Sequence, residues 1–131
     1  MQGADVDVLA VEDDENVRHC FVSALRGAGY SVAEADDGFV ALELLRSLRV
    51  GAMVLDVRMP VMDGFQLLDR LDEPPPTVLV SAQPYDAEAM ARREKVHAYL
   101  QKPVRTGELL AAVRSALETG PWGSTAAFGG S

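Results

Sequence analysis

Five short apolar runs recur along this chain, at residues 6–11, 31–35, 51–55, 77–80 and 98–101, and a segment of helical period follows each. The runs are rich in Val, Leu or Ala and too short for helices, so they read as strands. The first, third and fourth are almost continuously apolar, as strands buried on both faces should be. Asp7 is the one acid inside them, and a strand start near solvent is its simplest explanation. Between the runs, Val17, Cys20, Phe21, Ala24, Leu25 and Ala28 fall at helical spacing, with Gly29 as a stop. Ala41, Leu44, Leu45 and Leu48 form a second stripe, and Leu67, Leu68 and Leu71 a short third that Pro74, Pro75 and Pro76 terminate. Leu109, Leu110, Val113, Ala116 and Leu117 form the last, with Thr106 as its expected N-cap. The segment 86–95 carries the weakest helical pattern: Ala87, Met90 and Ala91 are followed by four charged residues in a row. Strands alternating with helices predict an α/β fold, a five-stranded parallel sheet covered by helices on both faces.

A chain of 131 residues makes one domain with a real core. Lys and Arg number 12 against 20 Asp and Glu, a formal net charge of −8. That balance argues against direct contact with nucleic acid or an anionic membrane, both of which attract clustered positive charge. The single cysteine, Cys20, excludes an internal disulfide and a thiolate zinc site. No apolar run suits a membrane helix and the first residues do not resemble a signal peptide, so a cytoplasmic protein is expected. The domain is expected over residues 1–119. Residues 120–131, rich in Gly, Ser and Ala, read as a tail or the start of a linker. Trp122 and Phe128 are unusual there; a fraying terminus is the expectation, and docking on the domain or a partner the alternative.

In an open parallel sheet, ligands bind outside the carboxyl ends of the strands. Glu12, Asp13 and Asp14 follow the first strand, Asp56 the third, Ser81 the fourth, and Lys102 with Pro103 the fifth. The fold would gather these groups on one rim. Clustered carboxylates resist ionising together, and a divalent cation relieves that conflict. An all-oxygen donor set favours Mg²⁺ or Mn²⁺. A metal, an ammonium, a hydroxyl and a carboxylate suit phosphoryl transfer, with the carboxylate attacking phosphorus. Asp56 stands alone at the end of an apolar run and is the best nucleophile; Asp14 is expected to cap the first helix.

These residues carry a resemblance. Val11-Glu12-Asp13-Asp14, Leu55-Asp56-Val57-Arg58-Met59-Pro60 with Asp63-Gly64, Val80-Ser81-Ala82 and Tyr99-Leu100-Gln101-Lys102-Pro103 stand in order over residues 5–118. Together they resemble the receiver domain of bacterial two-component response regulators. The resemblance implies a flavodoxin-like strand order, 2-1-3-4-5. It implies that Asp56 accepts a phosphoryl group from a histidine kinase or a phosphotransfer protein. Glu12, Asp13, Asp56 and the backbone carbonyl of Arg58 would hold Mg²⁺ (or Mn²⁺). Ser81, the backbone N–H of Ala82 and Lys102 would contact the phosphoryl group, Tyr99 would act with Ser81 as the switch, and the Lys102–Pro103 peptide would be cis. The output would be a changed surface on the fourth helix, fifth strand and fifth helix. That surface would be read by a downstream protein target or a fused output domain, with a phosphorylation-dependent dimer also compatible.

Departures from the family pattern are a serine at 81 where threonine is commoner, Lys95-Val96-His97-Ala98 before Tyr99, Val104 after Pro103, and a shortened stretch between Asp56 and Ser81. Arg58 and Gln83, two residues beyond Asp56 and Ser81, are expected to flank the path of water to the phosphoryl group. A phosphohydrolase of the haloacid-dehalogenase type is a rival, but it wants a second Asp where Arg58 stands. A degenerate receiver that binds a partner without phosphorylation is another; the complete acidic, hydroxyl and lysine set argues against it. His19 and His97 are too isolated to carry a phosphoryl group, and Cys20 reads as a small core residue.

Overall fold

The structure is a computed structural model and describes residues 3–120; Trp122 and Phe128, like the rest of the expected tail, lie outside the described residues. The elements run β1 (Val6–Val11), α1 (Glu15–Gly27), β2 (Val32–Ala35), α2 (Gly38–Ser47), β3 (Val50–Asp56), α3 (Gly64–Asp69), β4 (Thr77–Ser81), α4 (Ala87–Ala91), a 3₁₀ turn (Arg93–Lys95), β5 (Ala98–Gln101) and α5 (Thr106–Thr119). All strand pairs are parallel and their order is β2-β1-β3-β4-β5. The α/β sheet expected from the alternation is therefore the one formed.

The strand registers explain how residues far apart in sequence meet. Val11 of β1 stands beside Leu55 of β3, and Asp56 stands beside Val80 of β4. Ser81 in turn pairs with Gln101 of β5. The residues that follow these positions, Glu12 and Lys102, therefore emerge at the same edge as Asp56. Central β3 is buried along its whole length.

The core lies in two layers. One face of the sheet packs Leu9, Met53, Leu55 and Leu79 with Leu67 and Leu68 of α3 and Ala41 of α2. The other packs Val8, Val54, Val78 and Val80 with Phe21 and Leu25 of α1 and Leu109 and Val113 of α5. Each fully buried aliphatic side chain contributes ~1.5–3 kcal/mol over leaving it in water.

Local chemistry sets the helix starts. Asp14, Asp37, Asp63 and Asp86 each accept a backbone N–H from the first turn of α1, α2, α3 and α4. Asp7 has a specific role: Ser31 N–H donates to Asp7 Oδ2 at 2.8 Å, and Asp7 N–H donates to Ser31 Oγ at 2.9 Å. The pair joins the starts of β1 and β2.

Several expectations are corrected. Cys20 is exposed; Val22, outside the apolar stripe read from the sequence, takes its place in the buried face of α1. Ala28 is exposed as well. Thr106 is the first residue of α5 rather than its cap, and Arg105 occupies the cap position. There the Glu108 carboxylate accepts the Arg105 N–H at 3.2 Å. The segment 86–95 is not one helix: α4 stops after five residues and a 3₁₀ turn completes it. Strand β3 extends beyond its apolar run at both ends, and β2 starts one residue later than its run.

Candidate functional site

The carboxyl edge of β1, β3 and β5 holds three carboxylates and one ammonium. Glu12 and Asp56 are only 1 % and 3 % exposed, while Asp13 faces solvent. Ligand oxygens of Glu12, Asp13 and Asp56 lie within 4.8 Å of one another. Lys102 Nζ donates to Glu12 Oε1 at 2.9 Å and lies 3.1 Å from Asp56 Oδ1. The Lys102–Pro103 peptide bond is cis.

Each group is held from behind. Glu12 Oε2 accepts the Asp14 N–H at 3.1 Å, while Asp14 caps α1. Arg18, one turn into α1, donates from Nη1 to the Glu12 carbonyl at 2.9 Å and from Nε to Glu34 at 3.1 Å. Reading the sequence missed Arg18; its only signal was a cation one turn after a capping Asp. Asp56 is braced by the Asp63-Gly64 pair. Gly64 N–H donates to the Val57 carbonyl at 2.8 Å. A Cβ on Gly64 would lie 2.5 Å from the Asp56 carbonyl oxygen, so only glycine lets α3 begin this close to the Asp56 backbone. Asp63 starts the helix by a reciprocal pair: its Oδ1 accepts the Gln66 N–H at 2.8 Å and Gln66 Oε1 accepts the Asp63 N–H at 2.9 Å.

The electrostatics follow from this geometry. Burial and the neighbouring Glu12 charge push the Asp56 carboxyl up to about 7, against the pull of Lys102. Burial draws Lys102 down, but its hydrogen bond to Glu12 and the charge of Asp56 outweigh that and leave it raised. One ammonium does not balance three carboxylates, two of them buried. The donors are all carboxylate oxygens, close enough to share one ion, and a hard divalent cation fits both their chemistry and the uncompensated charge.

A groove of about 200 Å³ opens beside this cluster, lined by Arg58, Asp63, Ser81, Gln83 and Tyr99 among others. Ser81 Oγ accepts the Gln83 N–H at 3.0 Å. Tyr99 donates its hydroxyl to the Gln83 carbonyl at 2.6 Å, with the Pro84 carbonyl at 3.2 Å, and meets Tyr85 edge-on at 5.3 Å. Ser81 and Tyr99 thus hold the same residue of the β4–α4 loop, Gln83, one by its N–H and the other by its carbonyl. Asp86 and Glu88 also line the groove and give it an acidic lip that the spacing of the motifs did not reveal. Ala82 is exposed, with its carbonyl accepting from Gln101 Nε2 at 3.5 Å. His19 and His97 lie on the surface, away from the carboxylates.

Residues 8–114 match the family of response regulator receiver domains. The chain belongs to that family. It is 38% identical over 114 residues to the response regulator MprA of Mycobacterium leprae, an alignment covering 84% of this chain and 50% of the relative. With MprA of Mycobacterium tuberculosis strain H37Rv it is 37% identical over 116 residues, 86% of this chain and 50% of the relative. The chain therefore spans about half the length of these relatives. Among solved structures it is similar to the receiver domain of NtrX from Brucella abortus, with a TM-score of 0.78 and 25% identity over 86% of this chain and 99% of that one. It is also similar to the chemotaxis protein CheY4 of Vibrio cholerae, with a TM-score of 0.76 and 26% identity over 86% and 98%. Receiver domains are signalling modules rather than conventional enzymes, and this chain has their strand order. Among the described residues no helix is long and apolar enough to cross a membrane.

Proposed function

We propose that this chain is a phosphorylation-dependent switch whose phosphoacceptor is Asp56. The observation that carries the reading is a buried carboxylate at the end of β3, 3.1 Å from Lys102 Nζ, with Glu12 and Asp13 within reach of a shared ion. A carboxylate oxygen of Asp56 attacks the phosphorus of a phosphohistidine on a histidine kinase or phosphotransfer protein. The P–O bond forms, the P–N bond breaks, and the imidazole leaves with the electron pair. Glu12, Asp13, Asp56 and the Arg58 carbonyl would hold Mg²⁺ or Mn²⁺, which when bound supplies positive charge for the phosphoryl oxygens and keeps Asp56 ionised. Lys102 supplies the second positive charge.

The new phosphoryl group offers strong acceptors beside Ser81 and Lys102. Ser81 would turn its hydroxyl to it, with the Ala82 N–H as a further donor. Moving Ser81 breaks its bond to Gln83 and frees the loop that Tyr99 also grips. Only the arrangement that engages the phosphoryl group gains free energy, so the population shifts towards it. The change would reach the surface of α4, β5 and α5. A fused output domain or a separate protein target would read it.

Intact mass after incubation with a small phosphodonor and Mg²⁺ tests the reading. A single phosphoryl adduct, absent from Asp56→Asn and absent with EDTA, is expected. No adduct on protein that binds Mg²⁺, with either a small donor or a phosphorylated kinase domain, would sink it.

A further inference from the structure

The edge that carries the carboxylates is braced from β2. That strand pairs with β1 so that Glu34 stands beside Ala10 and Ala35 beside Val11. It holds the Glu12 backbone at two points. The Ala35 carbonyl accepts the Glu12 N–H at 3.1 Å. Glu34 Oε1 accepts from Arg18 Nε at 3.1 Å, and Nη1 of the same guanidinium donates to the Glu12 carbonyl at 2.9 Å. Arg18 is itself fixed at the start of α1, where its N–H donates to the Asp14 carbonyl at 2.9 Å. Its side chain is only 16 % exposed.

The carbonyl that Arg18 holds belongs to the peptide joining Glu12 to Asp13. Glu12 lies before that peptide and Asp13 after it, so a tilt of its plane turns both side chains. The Glu12 carboxylate has Lys102 and the Asp14 N–H as further guides. The guanidinium is planar, so Nε and Nη1 keep a fixed spacing and set the Glu12 carbonyl relative to Glu34. A lysine at this position offers one mobile ammonium and no such fork. By charge alone, Arg18 opposes a divalent ion on the neighbouring carboxylates. Its geometric effect and its Coulombic effect on metal binding therefore have opposite signs.

We propose that Arg18 is a positioning residue for the metal ligands: anchored on Glu34, it locks the Glu12–Asp13 peptide so that both carboxylates converge with Asp56 before an ion arrives. The proposal rests on the reading that Glu12, Asp13 and Asp56 hold Mg²⁺. Groups that orient metal ligands from behind are worth roughly ten-fold or more in metal affinity.

Titration calorimetry of Mg²⁺ into the full, EDTA-stripped chain tests it, at a temperature where thermal unfolding shows each variant folded. Arg18→Ala should bind Mg²⁺ roughly ten-fold more weakly than the wild type. Arg18→Lys should fall between the two, and carries the comparison if Arg18→Ala does not fold. Arg26→Ala is the control. Arg26 lies on the same helix, donates to the Val32 carbonyl at 3.1 Å and comes within 3.9 Å of Glu34, so its loss also loosens α1 from β2. It makes no bond to Glu12, and its variant should keep the wild-type affinity. Unchanged or tighter Mg²⁺ binding in folded Arg18→Ala would overturn the proposal, the tighter result being that of charge alone. An equal loss in Arg26→Ala would overturn it too, by tracing the effect to a loosened helix. A wild type that binds Mg²⁺, loses it in Asp56→Asn and is unaffected by Arg18→Ala refutes the role of Arg18 alone. A wild type that binds no Mg²⁺ refutes the metal site as well.

Discussion

Replacing Asp56 by asparagine should stabilise the metal-free protein, and only above a definable pH. In the folded state the Asp56 carboxyl is raised from 3.8 to about 7, first by burial and then by the charge of Glu12. A carboxyl raised on folding contributes stability that is fully present below its unfolded pKa and is lost as pH rises through the folded one. In EDTA the wild type should therefore weaken between about pH 4 and pH 7, then level off. A shift of roughly three units corresponds to a ceiling of about 4 kcal/mol. Asparagine has nearly the same shape and no charge to bury, so the variant's stability should not fall across this window on account of residue 56. Lys102 is raised too, but its contribution is lost only in strongly alkaline solution and does not enter. For a domain of this size the gap between variant and wild type at pH 8 should be on the order of 10 °C in Tm, narrowing to roughly half at pH 5 and closing only near pH 4. Thermal unfolding followed by circular dichroism in EDTA measures it. Mg²⁺ should then raise the wild type towards the variant at pH 8 and do little for Asp56→Asn itself. Equal melting temperatures at pH 8, or a less stable variant, would refute the claim that Asp56 is held at an electrostatic cost.

Other residues make separate predictions. Val61 is 86 % exposed with φ +70°, a left-handed conformation that a β-branched residue adopts at a cost. Val61→Gly should raise stability by about 1 kcal/mol in urea unfolding, the relief of strain exceeding glycine's entropy cost. Gly64→Ala should cost at least ~2 kcal/mol, because its Cβ would collide with the Asp56 backbone, and should weaken Mg²⁺ binding in titration calorimetry. Arg92 holds Asp69 with two hydrogen bonds of 2.9 and 2.8 Å, and its guanidinium lies 4.7 Å from the Phe65 ring centroid. Arg92→Ala should cost about 1 kcal/mol and raise hydrogen exchange in α4 before α3. Arg58→Ala should shorten the life of the phosphorylated form by opening the groove to water; an unchanged decay rate would leave Arg58 without a role there.

Much of the scaffold was legible because its signals are local. A continuous apolar run reads as a buried strand whatever its neighbours, and an Asp ahead of a helical stripe reads as a cap. Asp56 stood out because one carboxylate ended the most apolar run, and Asp14 because its position suited a cap. These readings need only the chain's own period and the chemistry of one turn. The α4 region read weakly for a physical reason. Its hold on the domain comes from elsewhere, with Arg92 on Asp69 and Lys95 Nζ donating to the Leu68 and Leu71 carbonyls at 3.0 and 2.7 Å. No pattern within 86–95 encodes partners that lie on and just after α3.

The tertiary structure alone decided the rest. Cys20 and Val22 are equally plausible on the buried side of a helix until the sheet chooses its azimuth, and it chose Val22. Asp7 looked like a stray acid until β2 placed Ser31 against it. Glu12 and Lys102 lie 90 residues apart, and only parallel pairing across β1, β3, β4 and β5 brings them to 2.9 Å. The sequence by itself determined which residues could do the chemistry, since side-chain type and period are written in it. Which of them share one low-dielectric pocket, and so shift each other's charge, was decided by strand register, a property of the sheet and of no single segment.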